Sequence, residues 1–422
     1  MKDFCDEMAL LKAHKPSYDN NEYDICIRGW INDAPARSFL KGTVSHTGYH
    51  SCERCCTEGV WRDHRIILDA CVSARRTHQE FASYAYADDD GGECHQKYES
   101  ALLNFADVDV VNDVIIDSMH LIFLGVVKRF LQFLKNVKGS AARLPNGLIT
   151  EISLKLTELS GLLPSDFVRQ PRSLKFLPYW KATEFRSFLL YSGPVVLKGV
   201  VSQKVYDHFL QLSVAIYILH EEDDEWRNRR LDYCQSLLEV YVENCSRYLG
   251  DIFCVYNVHN LLHLTDDVRY FNTPLQHISA FPFENFLQTV KRYVKGRRYP
   301  LEEIVKRYGE SIGKSSRAAK SPVNKVSCTP KDSCFLLQDG LVVLKEKERS
   351  GLDQYKCRFY GKHQLSDFYT SPLNSSELGT YYVKNSNVFA LRVVSRSDLL
   401  RKCVRFPYQN GFVTMTLLHG MN

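Results

Sequence analysis

Two short apolar segments, each followed by an aspartate, constrain this chain more than any other feature. The segment from Tyr23 to Ile31 alternates apolar and other side chains, which is typical of a strand, and Asp33 follows it. The run Val110–Ile116 is rich in β-branched residues, as buried strands are, and Asp117 follows directly. We therefore expect two strands with an acid at the end of each.

A mostly helical block separates the second strand from a third acid. Apolar residues recur at helical spacing after Asp117, and helical patterns dominate residues 125–275. A further helix is predicted to begin near Phe283, with Glu284 in its first turn. The chain thus offers three acids, two at strand ends and one at the start of a helix.

The segment after Glu284 is strongly basic, with eleven Lys or Arg residues and three acids in residues 288–325. On an ideal helix, two of the lysines lie within about 20° of Glu284. Basic side chains at that place can bind DNA phosphates without reading sequence, although a solvated helix face with a linker is the alternative. The candidate phosphate contacts are Lys291, Lys295, Arg297 and Arg298.

The remaining chain predicts a small β-rich domain after a Ser/Gly/Lys-rich linker. Short strand-like runs follow residue 330, and Asp339-Gly340 is typical of a hairpin turn.

Composition and motifs exclude several classes of protein. A chain of 422 residues with 45% hydrophobic residues can bury a core, so wholesale disorder is not expected. No secretory signal is expected, because residues 1–7 are acidic and poor in apolar side chains, and no membrane span is expected, because Lys128 and Arg129 interrupt the longest apolar stretch. The fourteen cysteines are then expected to be thiols or metal ligands. Without a P-loop, a Gly-x-Gly-x-x-Gly or a Gly-x-Ser-x-Gly motif, a kinase, ATPase or hydrolase is not expected.

Three well-placed acids suit divalent-cation chemistry. Mg²⁺ prefers oxygen ligands and is commonly held by a few carboxylates, water and a substrate phosphate. Asp33, Asp117 and Glu284 are therefore candidate ligands of two Mg²⁺ or Mn²⁺ ions for phosphodiester chemistry. Most strand-end acids, however, are capping or solvated residues, and that alternative stands for each of them.

A second set of residues has the spacing of a zinc site. Cys52-x-x-Cys55 offers half of a tetrahedral site, and His259-x-x-x-His263 on one helical face offers the other half. Such a site would be structural zinc. The alternative is that the cysteines are unmetallated and the histidines are core residues. Other candidate ligands are His46, His50, His64, Cys56, Cys71, Cys94 and His95.

Six short motifs occur in a characteristic order. They are Asp33-Ala34-Pro35-Ala36-Arg37, Gly48-Tyr49-His50-Ser51-Cys52-Glu53-Arg54-Cys55, Asp117-Ser118-Met119-His120, Trp180-Lys181-Ala182-Thr183-Glu184-Phe185, Asn257-Val258-His259-Asn260-Leu261-Leu262-His263-Leu264 and Phe281-Pro282-Phe283-Glu284-Asn285-Phe286. In order and spacing, residues 23–315 resemble the transposases of the CACTA (En/Spm) type.

The resemblance implies a ribonuclease-H-like core of the DDE type with a helical insertion, acting on DNA in the nucleus, usually as a homo-oligomer. It implies that Asp33, Asp117 and Glu284 are the catalytic acids and that His120, in the Asp-x-x-His signature, lies near the scissile phosphate. A histidine bonded to the backbone at a helix end is the alternative for His120. No DNA-binding module is expected before Asp33, because those residues are few and unpatterned.

The resulting prediction is an α/β chain with a ribonuclease-H-like core and a small C-terminal β-rich region. Its function is predicted to be metal-dependent DNA cleavage and strand transfer. One alternative is a domesticated or decayed transposase that binds DNA or proteins without catalysis, and another is a zinc-stapled scaffold with no nucleic-acid role. Trp180, Phe185 and Tyr191 are expected in the core rather than stacked on bases. The predicted segments are a poorly ordered segment (1–22), the first part of the core (23–124), the insertion (125–275), the closing helix and basic segment (276–315), a linker (316–330) and the β-rich domain (331–422).

Overall fold

The computed structural model describes residues 2–87, 94–105, 107–137, 140–296, 298–312, 325–348 and 353–418. Its α-helices in chain order are α1 (Lys2–His14), α2 (Ala34–Lys41), α3 (His78–Ala82), α4 (Lys128–Lys135), α5 (Asn146–Glu158), α6 (Ala182–Ser187), α7 (Gly193–Leu197), α8 (Gln203–His220), α9 (Asp224–Asn228), α10 (Leu231–Leu249), α11 (Tyr256–His259), α12 (Leu264–Phe271), α13 (Phe281–Tyr293) and α14 (Pro300–Ile312). Two π-helical segments, Met119–Val127 and Phe188–Ser192, add to these.

The strands form short pairs in the first part of the chain and one large sheet in its last part. In chain order they are β1 (Ser17–Tyr18), β2 (Asn21–Glu22), β3 (Trp30–Asn32), β4 (Val60–Arg62), β5 (Arg65–Ile67), β6 (Val114–Ile116), β7 (Cys334–Leu336), β8 (Gly340–Lys347), β9 (Gln354–Gly361), β10 (Leu365–Asp367), β11 (Thr380–Val383), β12 (Ala390–Ser395), β13 (Arg401–Tyr408) and β14 (Gly411–Thr416). The protein is thus a mixed α/β chain, as expected. Among the described helices, none is long and apolar enough to cross a membrane.

The chain divides into two compact units. The first unit comprises Met1–Leu144 and Asp223–Ile278, and the second comprises Pro145–Glu222 and Ser279–Asn422. The segment 125–275, predicted as one helical insertion, is helical but is shared between both units.

Strands β3 and β6 form a parallel pair at the centre of the first unit. Trp30, Ile31 and Asn32 pair with Val114, Ile115 and Ile116 in register. Strand β6 is completely buried, which is why its sequence is a continuous β-branched run. The described part of this sheet holds these two strands, and a complete ribonuclease-H-like sheet is therefore not evident.

Side chains close the outer edge of β6. The Asp267 carboxylate accepts a hydrogen bond from the backbone N–H of Ile116 at 2.9 Å, and Arg54 donates to the carbonyl of Val114 at 2.9 Å. Arg54 and Asp267 also form a buried ion pair, with 2.5 Å between nitrogen and oxygen. This pair therefore satisfies the Val114 carbonyl and the Ile116 N–H, two backbone groups that a further strand would otherwise pair with.

The start of the chain differs from the prediction. Residues 2–22 form helix α1 and the hairpin β1–β2 instead of a poorly ordered segment, and Lys12 bridges to Asp107 at 2.7 Å. The first strand of the core begins at Trp30 rather than Tyr23. Residues 25, 27 and 29 are less exposed than their neighbours 24, 26 and 28, but residues 23–29 have no regular structure in the described chain because no strand pairs with them.

The second unit packs helices α5–α8 and carries an antiparallel sheet. The three aromatic side chains of the Trp180 region are core residues, as expected, with exposed fractions of 6% or less for Trp180, Phe185 and Tyr191. The strand order of the sheet is β10-β11-β14-β13-β7-β8-β9-β12. Alternate residues of β8 enter separate apolar clusters, so both faces of the sheet are covered.

Candidate functional site

The structure brings Asp33 and Asp117 to the ends of neighbouring strands. They follow directly on Asn32 and Ile116, which are register partners in the parallel pair. Adjacent strands lie about 4.8 Å apart, so the two aspartates leave the sheet at adjacent positions. The carboxylate of Asp33 caps helix α2, accepting a hydrogen bond from the N–H of Ala36 at 2.9 Å.

The carboxylate of Asp117 is fully buried and is held by the turn that follows it. It accepts hydrogen bonds from the backbone N–H groups of Met119 and His120 at 3.2 and 3.1 Å. The Nδ1 of His120 lies 2.5 Å from the same carboxylate, and the histidine side chain is 31% exposed. The Nδ1 of His120 therefore pairs with the carboxylate of Asp117. An ion could reach the Asp117 oxygens only after some of these bonds were released.

The third predicted acid and the basic residues belong to the second unit. Glu284 is exposed in the first turn of α13, and Lys291 is exposed about two turns further along the same face of that helix. Helix α13 ends at Tyr293, so Lys295 lies outside it, contrary to the helical extrapolation. The backbone amides of Lys295 and Gly296 instead donate to Glu303 of α14 at 3.0 Å, which turns the chain. Arg298 is exposed, and Arg297 lies outside the described residues.

The predicted zinc ligands meet in the first unit. The ligand atoms of Cys52, Cys55, His259 and His263 all lie within 4.8 Å of one another, and the four residues are buried. The Cys52 and Cys55 sulfurs are 3.4 Å apart, too far for a disulfide. Cys52 Sγ lies 3.4 Å from His263 Nε2, and Cys55 Sγ lies 3.2 Å from His259 Nε2. This buried group of two thiols and two imidazoles can hold a metal ion such as zinc.

The separations suit a tetrahedral ion. With Zn–S bonds of about 2.3 Å and Zn–N bonds of about 2.0 Å, the tetrahedral angle puts sulfurs about 3.8 Å apart and sulfur and nitrogen about 3.5 Å apart. The observed distances of 3.4, 3.4 and 3.2 Å are slightly shorter. A small outward shift of the four side chains would therefore complete the site.

Neighbouring groups orient the two imidazoles. The Nδ1 of His259 donates to the carbonyl of Asp69 at 2.7 Å, which leaves its Nε2 facing Cys55. The Nδ1 of His263 lies 2.5 Å from Arg75 and 3.9 Å from the carboxylate of Asp266. A metal bound at Nε2 would leave the proton on Nδ1, so Arg75, which can only donate, would have to move away and the Asp266 carboxylate would have to approach from 3.9 Å.

The two thiols differ in acidity. Burial, followed by the hydrogen bond to Cys55, raises the pKa of Cys52 well above its ordinary value. The hydrogen bond from Cys52 lowers the pKa of Cys55 far below its ordinary value despite burial. The cluster therefore already favours one thiolate, the form that binds metal.

The other candidate metal ligands lie outside this group in the described chain. His95 contacts the carbonyl of His50 at 2.8 Å, and Cys94 donates to the carbonyl of Gln96 at 2.8 Å. Cys55 and Cys56 adjoin in sequence, but Cys55 alone belongs to the cluster.

A buried ionic network around Glu53 was not predicted. Arg37 and Tyr256 donate to one oxygen of the Glu53 carboxylate at 2.9 and 2.6 Å, and Lys41 lies 3.4 Å from the other oxygen. Burial alone would raise the pKa of Glu53, but the charges of Arg37 and Lys41 hold it well below its usual range. The available signal was the charged pair Glu53-Arg54 between the two cysteines predicted to be zinc ligands.

The network positions the candidate metal cluster formed by Cys52, Cys55, His259 and His263. Glu53 and Arg54 lie between the two cysteines, and their partners belong to α2, α11, β6 and α12. The residues between the metal ligands therefore attach the cysteine loop to the strand pair and to the helices that carry the histidines.

Comparison with known proteins gives one partial match. Residues 315–417 match the family model of a domain of unknown function, DUF8592. The matched region contains strands β7–β14 and is less than half of the chain. No curated protein and no solved structure matches the sequence. The metal cluster and the strand-end aspartates lie outside the matched region.

Proposed function

We propose that this protein is a transposase-derived, DDE-type enzyme that cleaves DNA phosphodiester bonds and transfers strands with two Mg²⁺ or Mn²⁺ ions. The observation that carries the proposal is the adjacency of Asp33 and Asp117 at the ends of paired parallel strands. Two carboxylates that leave a sheet side by side can share divalent ions, and substrate phosphate and water complete the coordination. The motif order of residues 23–315 supports the same reading.

In this proposal each residue has a defined task. Asp33 and Asp117 bind the ions and Glu284 supplies the third carboxylate. His120 keeps Asp117 in place until the ions enter, and its exposed edge then faces the scissile phosphate. Lys291, Lys295, Arg297 and Arg298 bind the DNA backbone. The active form is a homo-oligomer on nuclear DNA.

We propose that Cys52, Cys55, His259 and His263 bind one structural Zn²⁺. All four ligands come from the protein, so no position is left for substrate, as is typical of structural zinc sites. The ion would join the cysteine loop to α11 and to the turn that precedes α12. Because the same loop contacts β6 through Arg54, zinc would also hold the strand pair that carries the aspartates.

The second candidate function is DNA binding without cleavage, in a descendant that has lost catalysis. The hydrogen bonds of Asp117 favour it, because this carboxylate is buried and is bonded within its own turn. The cap made by Asp33 likewise gives that aspartate a structural task.

A nicking assay separates the two functions. Purified protein is incubated with supercoiled DNA and Mn²⁺ or Mg²⁺, and Asp117→Asn and Glu284→Gln variants are compared with wild type. Exposed acids in the same units serve as controls, as Glu58→Gln and Glu302→Gln. We expect nicking that both site variants abolish and both controls retain. Nicking that survives in the site variants contradicts the DDE assignment, and salt-sensitive DNA binding without nicking in any form supports the second candidate.

Metal analysis tests the zinc site. We expect one zinc per chain by mass spectrometry of the native protein, and loss of that zinc in Cys55→Ser. The exposed Cys26 provides the matched control, and Cys26→Ser should retain the metal. A wild-type protein that contains no zinc and takes up none when purified with zinc present would contradict the assignment.

A further inference from the structure

A cavity of about 220 Å³ opens in the first unit beside the metal cluster. The hairpin β4–β5 provides one wall with Trp61, His64 and Arg65, and the start of α11 provides another with Tyr256 and Asn257. The volume is below the roughly 300–1,000 Å³ that is typical of sites for drug-sized ligands. A ligand group about the size of one aromatic heterocycle suits it better than a whole cofactor.

The walls combine an accessible indole with positive charge. Trp61 is 57% exposed, and its ring centroid lies 6.5 Å from that of His64 in an edge arrangement. The Nε of Arg65 is buried and has no hydrogen-bond partner within the described chain. Burial and then the charge of Arg65 lower the pKa of Arg129 to about 10, so a second cation lies near Arg65. A polar atom buried without a partner is unfavourable, so a ligand that accepts its hydrogen bond would be stabilised.

Arg62 shows the difference between a structural arginine and Arg65. The two arginines face each other across the hairpin as register partners. Arg62 forms an ion pair with Asp251. Arg65 lines the cavity and forms no ion pair with any described residue, so no described carboxylate neutralises its charge there.

We infer that this cavity binds one unstacked nucleotide of a DNA single strand, with the base against Trp61 and the adjacent phosphate at Arg65. An exposed indole is a stacking surface for any base, and a guanidinium binds phosphate through several donors. The histidines His46 and His64 at the rim add donors for the same phosphate. The inference rests on the proposed function, because it names where a DNA strand would bind, but it does not require cleavage.

Contacts connect the cavity with both strand ends. Arg37 donates to the hydroxyl of Tyr256 at 2.9 Å and to the carbonyl of Asn32, the residue before Asp33, at 2.7 Å. Asn257 packs on Gly125 of the π-helical segment that follows Asp117, where a Cβ would lie 2.5 Å from the amide of Asn257. A nucleotide in the cavity would thus contact Tyr256 and Asn257, which touch the helical segments that follow the two strand-end acids.

The test measures binding of a fluorescently labelled ten-nucleotide deoxythymidine strand by anisotropy, without Mg²⁺ or Mn²⁺. We expect Trp61→Ala to raise the Kd about five-fold or more, whereas Trp61→Phe, which retains a stacking ring, changes it far less. Arg65→Gln should weaken binding and reduce the slope of log Kd against log salt by about 0.7, the value for one phosphate on a single strand. Arg62→Gln is the matched charge control and Tyr179→Ala, 72% exposed in the second unit, is the matched aromatic control.

A wild-type experiment makes the test independent of variant folding. The same strand carrying 5-bromodeoxyuridine is irradiated with the protein, and the crosslinked peptide is identified by mass spectrometry. A crosslink at Trp61 supports the inference. Three results would overturn it. They are crosslinks confined to other peptides, unchanged binding in both Trp61→Ala and Arg65→Gln, and equal competition by a duplex of the same length. No divalent ion is added, so a protein that does not nick DNA can still bind the strand through Trp61, and the binding result stands. A protein that nicks DNA but binds the strand without Trp61 would overturn the cavity inference and leave the proposed enzyme activity in place.

Discussion

Replacing Glu53 by glutamine should strongly destabilise the first unit. The substitution keeps the size of the side chain and removes one negative charge between two buried cations. Arg37 and Lys41 are 2% and 0% exposed, and Glu53 lies 2.9 and 3.4 Å from their nitrogens. Neither cation can turn to water without moving α2.

The size of the effect follows from two contributions. A hydrogen bond to a charged partner contributes about 1.5–3 kcal/mol, and Arg37 would lose its charged partner. In the wild-type protein burial lowers the pKa of Lys41 to about 8 although the charge of Glu53 opposes this, so the variant should lose the Lys41 proton near neutral pH. Each pH unit of that shift corresponds to about 1.4 kcal/mol. We expect a total loss of about 3–5 kcal/mol in the free energy of unfolding, the range for breaking a buried ion pair.

The pH dependence gives a second readout. In the variant, the unfolded chain binds the Lys41 proton between pH 7 and 8 and the folded chain does not, so its stability rises with pH. In wild type, Lys41 remains charged up to its folded pKa of about 8 and contributes no such rise below it. The difference between the two proteins should therefore shrink from pH 7 to pH 8.

Urea unfolding followed by circular dichroism measures both quantities, and Glu58→Gln, an exposed acid in the same loop, is the control. A double-mutant cycle with Lys41→Met isolates the pairwise interaction. A loss below about 1 kcal/mol, or a difference that grows between pH 7 and 8, would refute the buried-network argument.

Three further perturbations test separate parts of the molecule. Asp33→Ala should lower stability by about 0.5–2 kcal/mol and Asp33→Asn much less, since asparagine also caps helices; equal losses in urea unfolding would contradict the cap. Gly125→Ala should lose about 1–3 kcal/mol, because the new Cβ would lie 2.5 Å from the Asn257 amide; an unchanged melting temperature would contradict this. Lys402→Met should destabilise the second unit by about 3–5 kcal/mol, because it leaves Asp166 and Asp332 buried without their cation. Burial opposes ionisation of Asp332, but hydrogen bonds from Lys402 and Ser165 outweigh it and lower the pKa of Asp332. In wild type, the stability contributed by Asp332 is therefore present above its unfolded-state pKa and lost as the pH falls towards its folded-state pKa. Equal midpoints of acid unfolding in wild type and Lys402→Met would contradict this.

Local patterns predicted the strand ends and the metal cluster. The β-branched run ending at Ile116 is a fully buried strand, and Asp117 follows it, because a strand covered on both faces needs apolar side chains at every position. The cluster of Cys52, Cys55, His259 and His263 was predicted because residues three or four positions apart stay close in space in most local structures. His259 ends α11 and His263 lies in a tighter 3₁₀ turn, yet their ring centroids remain 5.4 Å apart.

Features that depend on distant partners could not be predicted. Nothing near Glu53 in the sequence identifies Arg37, Lys41 and Tyr256 as its partners. The helix with Glu284 was predicted, but its apolar side chains Phe283, Phe286 and Leu287 are 57%, 51% and 53% exposed, because periodicity marks an apolar face and does not show what covers it. Lys295 was misplaced because the helix ends where Glu303 captures the backbone amides.

The capped edge of β6 bears on how the protein would fail. An unpaired strand edge is a template on which another chain can add a strand, and here the Arg54–Asp267 pair occupies that template. Arg54 lies between Cys52 and Cys55, so without the proposed zinc the Arg54–Asp267 pair would be held less firmly against β6. If zinc binds to these residues as proposed, we expect its removal by a strong chelator to cause aggregation through intermolecular β-structure, and to reduce solubility before helix content.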